Sequence, residues 1–203
     1  MRPSAPFCNF IQFMALFGIT GGMGAGKTTV LSLLGELGAR VTDADDVVHA
    51  LYAPGAPCTR LFRERWGAGV LDATGAVDRR QVAARVFADP AERAWLNQMI
   101  HPQVRERFKQ EEQAAGTLFA GVPLLYEAGW EADFSAVIAV WSPAEVVRER
   151  LRARGWSDAE IAAREAAQLP ADEKLRRADH AIINNSGLER LRDQCRLLLS
   201  TLT

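Results

Sequence analysis

Gly21-Gly22-Met23-Gly24-Ala25-Gly26-Lys27-Thr28 decides how this chain folds. Glycine, four free positions, then Gly-Lys-Thr is the spacing of a phosphate-binding loop. Its flanks agree: an apolar run, Ala15-Leu16-Phe17-Gly18-Ile19-Thr20, precedes it and a helical pattern follows. The chemistry needs that order. Glycines let the backbone curl until its N–H groups face the oxygens of a polyphosphate. A helix starting there turns its positive dipole end toward the same oxygens. On this reading Gly22, Met23, Gly24, Ala25, Gly26, Lys27, Thr28 and Thr29 hold a nucleoside triphosphate. Lys27 reaches the β- and γ-phosphates, and the Thr28 hydroxyl ligates Mg²⁺. The bland alternative is a glycine-rich turn before a helix with an exposed lysine, which leaves the placing of Lys27 and Thr28 to chance. A dinucleotide-binding fold would require a third glycine where Lys27 stands.

Length and composition bound the rest. A chain of 203 residues with 48% hydrophobic content permits one sizeable α/β core and a small appended subdomain. A net charge of -1 leaves no broad basic surface for nucleic acid. Cys8, Cys58 and Cys195 are widely spaced, as are His49, His101 and His180. They offer neither zinc spacing nor a disulfide framework, which suits a reducing cytoplasm. No run is long enough to span a membrane. Residues 1–13 are expected to be a dispensable extension, and 14–203 a single domain built on the phosphate loop, as a monomer or small homo-oligomer.

Strand and helix patterns then alternate, which argues a parallel sheet wrapped by helices. The expected fold is a three-layer α/β/α of the P-loop type, with a helical acceptor-side insertion and a helical lid. Strands are expected at Ala15–Thr20, Ala39–Thr42, Thr117–Val122, Ala136–Trp141 and Ala181–Asn184. Helices are expected from Lys27 towards Leu37, from Asp43 through Leu51, and at Ala144–Arg154, Asp158–Ala167, Ala171–Arg177 and Leu188–Leu202. About 56–115 the chain is mostly helical: four helices, with Pro90 opening the third and Pro102 the fourth.

Several side chains can carry chemistry. Asp43 and Asp45 fall at the carboxyl end of a strand, where open parallel sheets bind ligands. Asp43 serves equally well as the cap of the next helix. Asp45 is read as the group that accepts a hydrogen bond from a substrate hydroxyl and aims its oxygen at the γ-phosphorus. An aspartate pKa of about 4 lies far below that of an alcohol, so such a group orients first and takes the proton late. Glu127 follows another strand and is a candidate for substrate or for Mg²⁺-bound water, against the plain reading of a solvated loop glutamate. Trp130 is a candidate base-stacking ring or, more simply, core. Arg148, Arg150, Arg152, Arg154 and Arg164 crowd about Gly155-Trp156. Guanidinium forks match a transferring phosphoryl group, and a closing flap excludes water. Arg154 and Arg164 are the expected lid arginines.

Taken together, the residues resemble the dephospho-coenzyme A kinase family from Met14 onward. The matching segments are Gly18-Ile19-Thr20 leading into the loop, Asp43-Ala44-Asp45, His101-Pro102, Val122-Pro123-Leu124-Leu125-Tyr126-Glu127 and Arg164-Glu165-Ala166-Ala167-Gln168-Leu169-Pro170. Lys174, Ala178-Asp179 and Asn185-Ser186-Gly187 extend the match. The resemblance implies transfer of the ATP γ-phosphate to the ribose 3′-hydroxyl of dephospho-coenzyme A, with Asp45 in the base-like role. Two departures stand out: Gly121 occupies a position where many relatives carry an aspartate, and Asn184 precedes Asn185 where an aspartate is frequent, which changes little. Mg²⁺ is then expected on Thr28, phosphates and waters, with Asp43 or Glu127 behind them. His101 is read as structural. Two other readings compete. Another small-molecule kinase would use the same loop and arginines, and a regulatory GTPase lacks its guanine-reading Asn-Lys-x-Asp segment here.

Overall fold

The computed structural model describes residues 14–202; the expectation for residues 1–13 lies outside that range. β1 (Ala15–Gly21), β3 (Thr117–Gly121) and β4 (Ala136–Trp141) are buried nearly end to end. Continuous apolar strands of this kind need cover on both faces. With β2 (Val41–Asp43) and β5 (His180–Ile183) they form one parallel sheet in the order β2-β3-β1-β4-β5. Phe17 sits opposite Phe119 in the β1–β3 register, and their rings stack at 5.0 Å.

Helices complete the three layers. On one face α1 (Lys27–Glu36) and α9 (Leu188–Leu202) pack Val30, Leu33, Leu34, Leu191 and Leu198 onto Phe17, Ile19 and Ile138. The other face is covered by α5 (Pro90–Ala115) and α8 (Ala171–Arg177). Between β4 and α8 run α6 (Ala144–Ala153) and α7 (Asp158–Ala166). A reciprocal pair of bonds, Ser157 Oγ with the Glu160 N–H and Glu160 with the Ser157 N–H, starts α7.

Between β2 and β3 come α2 (Ala44–Leu51), α3 (Pro57–Trp66), α4 (Arg79–Ala88) and α5. This block has an aromatic nucleus of its own. Phe62 lies 5.4 Å from Tyr52 and 5.1 Å from Trp66, and Trp66 lies 5.0 Å from Trp95. Rings at these separations add about 0.5–1.5 kcal/mol per pair beyond area burial. These rings share one continuous core with Leu118, Ala120 and Val137 of the sheet, which fixes the block against it.

One expectation fails here. Pro102 does not open a fourth helix; α5 runs through it for 26 residues. An interior proline removes one backbone bond and crowds the preceding turn. Packing outweighs that loss, since Ile100, Val104 and Phe108 are all buried along α5. The Gln103 side chain also donates to Met99 O at 2.8 Å, adding a bond at the weakened turn. No described helix is long and apolar enough to cross a membrane.

Candidate active site

The register places three strand ends together. Gly121 pairs with Ile19 of β1 on one side and with Asp43 of β2 on the other. The loop after β1 therefore stands beside Asp43 and the Asp45 that follows it. Gly26 is the N-cap of α1 at φ 101°, a left-handed conformation that favours glycine. Among the described residues no side chain caps α1, which leaves its first N–H groups open to a ligand. Such groups need a partner, and an anion supplies one.

A clamp holds the loop from the far side. Asn184 Nδ2 donates to Ala25 O at 2.8 Å, and Ser142 Oγ lies 3.0 Å from the same carbonyl. The Arg150 guanidinium donates to Asn184 O and Oδ1, both at 3.2 Å, and to Ser142 Oγ at 3.0 Å. A Cβ on Gly26 would fall 2.1 Å from Asn184 Nδ2, so the clamp and the glycine require each other.

Lys27 Nζ donates to Asp43 Oδ2 at 2.6 Å, and both side chains are largely enclosed, 12% and 15% exposed. The other oxygen, Oδ1, accepts from the Asp45 N–H at 3.0 Å and caps α2. Asp43 thus does both things the sequence left open: it caps the helix and faces the loop. A Cβ on Gly121 would lie 3.0 Å from both Asp43 Oδ2 and Lys27 Nζ and 2.5 Å from Leu31 Cδ1. The missing side chain on β3 leaves room for the β2 carboxylate to take the lysine. Asp45 is partly exposed, and its carboxylate has no hydrogen-bond partner among the described residues. Lost hydration pushes its carboxyl above the ordinary aspartate range, and the neighbouring Asp43 charge adds to this; Lys27 and Arg79 oppose it.

A metal ion here would meet hard oxygen donors. Thr28 offers a hydroxyl in the cleft and Asp43 a carboxylate beside Lys27. Among the described residues no group of three acidic, His or Cys side chains stands ready to cage a cation. That donor set fits Mg²⁺ arriving with a nucleotide, which keeps waters and phosphate oxygens in its shell.

Glu127 is engaged elsewhere. Its Oε1 lies 2.8 Å from Lys174 Nζ and accepts from the Leu169 N–H at 2.8 Å. Lys174 is 0% exposed and also donates to Pro123 O at 2.7 Å. Buried Thr20 donates to the same carbonyl at 3.2 Å. Together these bonds tie the loop after β3 to the segment entering α8. Trp130 proves to be core, 4% exposed, with His101 edge-on at 4.8 Å. Burial lowers the His101 pKa, and the Arg105 charge adds to it, which suits a neutral packing role.

The arginines separate into distinct duties. Arg150 braces the loop, and Arg152 pairs with Asp158 at 2.8 Å on the surface. Arg154 and Arg164 line a cleft of about 390 Å³ together with Gly22, Lys27 and Thr28. Arg164 lies over the Trp156 ring at 4.3 Å. Asp43, Asp45 and Glu127 are not in that lining; Asp43 reaches it through Lys27. The structure thus gathers Lys27, Thr28, Arg154 and Arg164 about one space, sets Asp43 and Asp45 at its edge and leaves Glu127 behind the strand loop. Sequence reading did not separate Arg150 from its neighbours, and it missed Ser142, Asn184 and Phe87, the last of which also lines the cleft. None of them has a local spacing that signals its role.

Comparison with known proteins adds a second line. A family profile described as Dephospho-CoA kinase matches residues 15–190. A dephospho-CoA kinase of Anaeromyxobacter dehalogenans is 44% identical, over 93% of this chain and 92% of its own length. A solved structure from Thermus thermophilus superposes with a TM-score of 0.78 at 36% identity, covering 93% of this chain and 98% of that one. A dephospho-CoA kinase from Campylobacter jejuni, at 24% identity and a TM-score of 0.67, covers 92% and 96% and shares the fold.

Proposed function

The chain belongs to the dephospho-CoA kinase family, and on that premise we propose how its residues move a phosphoryl group. The enzyme transfers the γ-phosphate of ATP to the ribose 3′-hydroxyl of dephospho-coenzyme A, the last step in making coenzyme A. The observation that carries the assignment is the Lys27–Asp43–Asp45 edge beside the uncapped start of α1.

Residues 22–29 grip the triphosphate through backbone N–H groups and the helix dipole. Lys27 leaves Asp43 for the β- and γ-phosphates as they arrive, and Asp43 keeps its cap on α2. Thr28 takes Mg²⁺, which neutralises phosphate charge when bound, with Asp43 as the supporting carboxylate. Asp45 accepts the hydrogen bond of the 3′-hydroxyl. Its raised pKa makes it a better acceptor for a proton released late in the transfer. Arg154 and Arg164 belong to a lid, about residues 148–177, that closes over the γ-phosphate. They supply charge to the spreading equatorial oxygens and exclude water as a rival acceptor. The helical block of about 56–115 receives the acceptor. We assign Glu127, expected earlier to touch substrate, to the lid hinge, because its carboxylate ties Lys174 and Leu169. Both substrates are soluble, and we place the enzyme in the cytoplasm.

Incubation with ATP, Mg²⁺ and dephospho-coenzyme A, read by mass spectrometry, tests the assignment. Coenzyme A and ADP should appear in equal amounts. Phosphorylation of nucleoside monophosphates with no coenzyme A formed would overturn it.

A further inference from the structure

Phe87 is 85% exposed, the most open of the large apolar side chains among the described residues. It is the last but one residue of α4, and it lines the same cleft as Lys27, Thr28, Arg154 and Arg164. The fold says which side of the cleft it serves. α4 packs on α5, and α5 packs on α2 and β3. Asp43 and Asp45 come from that same flank, at the end of β2. Ser142, Arg150 and Asn184 brace the loop from the opposite flank, beyond β4 and β5. In phosphoryl transfer the acceptor oxygen enters in line, opposite the leaving oxygen. The carboxylate that orients the acceptor therefore marks its side, and Phe87 shares it. An adenine joined to the reacting ribose lies close to the γ-phosphorus, whereas the donor's own base lies beyond its three phosphates.

Arg79 opens α4, eight positions before Phe87, and the two fall on one side of the helix with Ala83 between them. They are about 12 Å apart along the helix axis. Arg79 is exposed and has neither hydrogen bond nor ion pair among the described residues. It lines a hollow with His49 of α2, the helix whose first turn carries Asp45. An acceptor whose 3′-hydroxyl sits on Asp45 carries its 5′-diphosphate on the same ribose, within reach of that guanidinium.

We propose that the open face of α4 reads the acceptor nucleotide: Phe87 stacks on its adenine and Arg79 pairs with its 5′-diphosphate. This rests on the assignment of dephospho-coenzyme A as acceptor. An aromatic ring stacks on the π-face of a base, and an arginine fork suits phosphate oxygens.

Steady-state kinetics with each substrate varied in turn tests it. Phe87→Ala should raise the KM for dephospho-coenzyme A about tenfold or more and leave the KM for ATP unchanged. Phe87→Trp should restore it. Because the ring is in solvent, both variants should melt like the parent. Arg79→Ala should raise the same KM, and Arg79→Lys should recover part of the loss. A rise in the ATP KM with Phe87→Ala would move the ring to the donor side and overturn the proposal. So would unchanged KM values in both alanine variants, or a fall in kcat alone. An unchanged KM in Arg79→Ala alone would overturn the diphosphate half. Should the parent enzyme itself form no coenzyme A, the functional assignment fails and not merely this reading of α4.

Discussion

Two sets of cations serve one cleft and are built in opposite ways. Lys27 stands on the first turn of α1, nearly enclosed, with Asp43 at 2.6 Å. Arg154 and Arg164 stand in water, and Arg164 lies over the Trp156 ring. The first set is placed by folding, held on Asp43 at the edge of the loop before a nucleotide arrives. The second must be ordered on closure. Only contacts that strengthen between bound substrate and transition state raise the rate, and arginines brought in on closure can be of that kind. The loop therefore serves binding as well as chemistry, and the proposed lid serves chemistry most.

Substitutions can break that contrast. Lys27→Ala should have the largest effect, a fall in kcat of about a thousandfold or more, measured by coupled ADP release. A variant that retained most of its turnover would show that the preset cation is dispensable. Asp45→Asn should lower kcat by about 10²–10³ with ATP binding unchanged by calorimetry. Normal turnover would remove Asp45 from the reaction. Of Arg154→Ala and Arg164→Ala, at least one should slow transfer by about a hundredfold while the KM for ATP moves little. If ATP binding weakens as much as kcat, the exposed arginines act like the loop and the contrast is gone.

Two further tests concern stability. Lys174→Met leaves Glu127 without its buried partner and should cost about 3 kcal/mol, read by chemical denaturation. A neutral result would mean that water replaces the lysine and that the hinge is not held there. The smallest effect is predicted for Asp45→Asn on melting temperature. Because the folded-state pKa of Asp45 is raised, its protonated form favours the fold, and that stability is lost as pH rises through the folded value. The asparagine variant should therefore melt slightly higher at pH 7. Its advantage should fade on acidification and vanish below the ordinary value of 3.8. A lower melting temperature at pH 7 would mean that the carboxylate makes a stabilising contact.

The legible and the hidden parts divide along the chain in the same manner. Strands β1, β3 and β4 were readable because burial on both faces leaves an unbroken apolar run. Pro102 misled, because a proline's local cost is visible in sequence while the burial of Ile100, Val104 and Phe108 that outweighs it is not. The arginine crowd was visible as a crowd. Only packing sorted it, sending Arg150 under the loop, Arg152 to Asp158, and Arg154 and Arg164 to the cleft. Glu127 looked like any acidic residue at a sheet edge until Lys174 and Leu169 met it.

Local order alone wrote the phosphate loop, because its needs are met within eight consecutive residues: glycines for the bend, a lysine and a hydroxyl at set spacing, a helix start beyond. The same holds for the alternation of strands and helices, and the ordered motifs carried the family. Folding in three dimensions assigned the partners: Asp43 to Lys27, Arg150 to Asn184, Glu127 to Lys174, and Phe87 to the mouth of the cleft. Each joins residues of different elements, whose meeting is set by how the sheet and helices pack and not by spacing along the backbone.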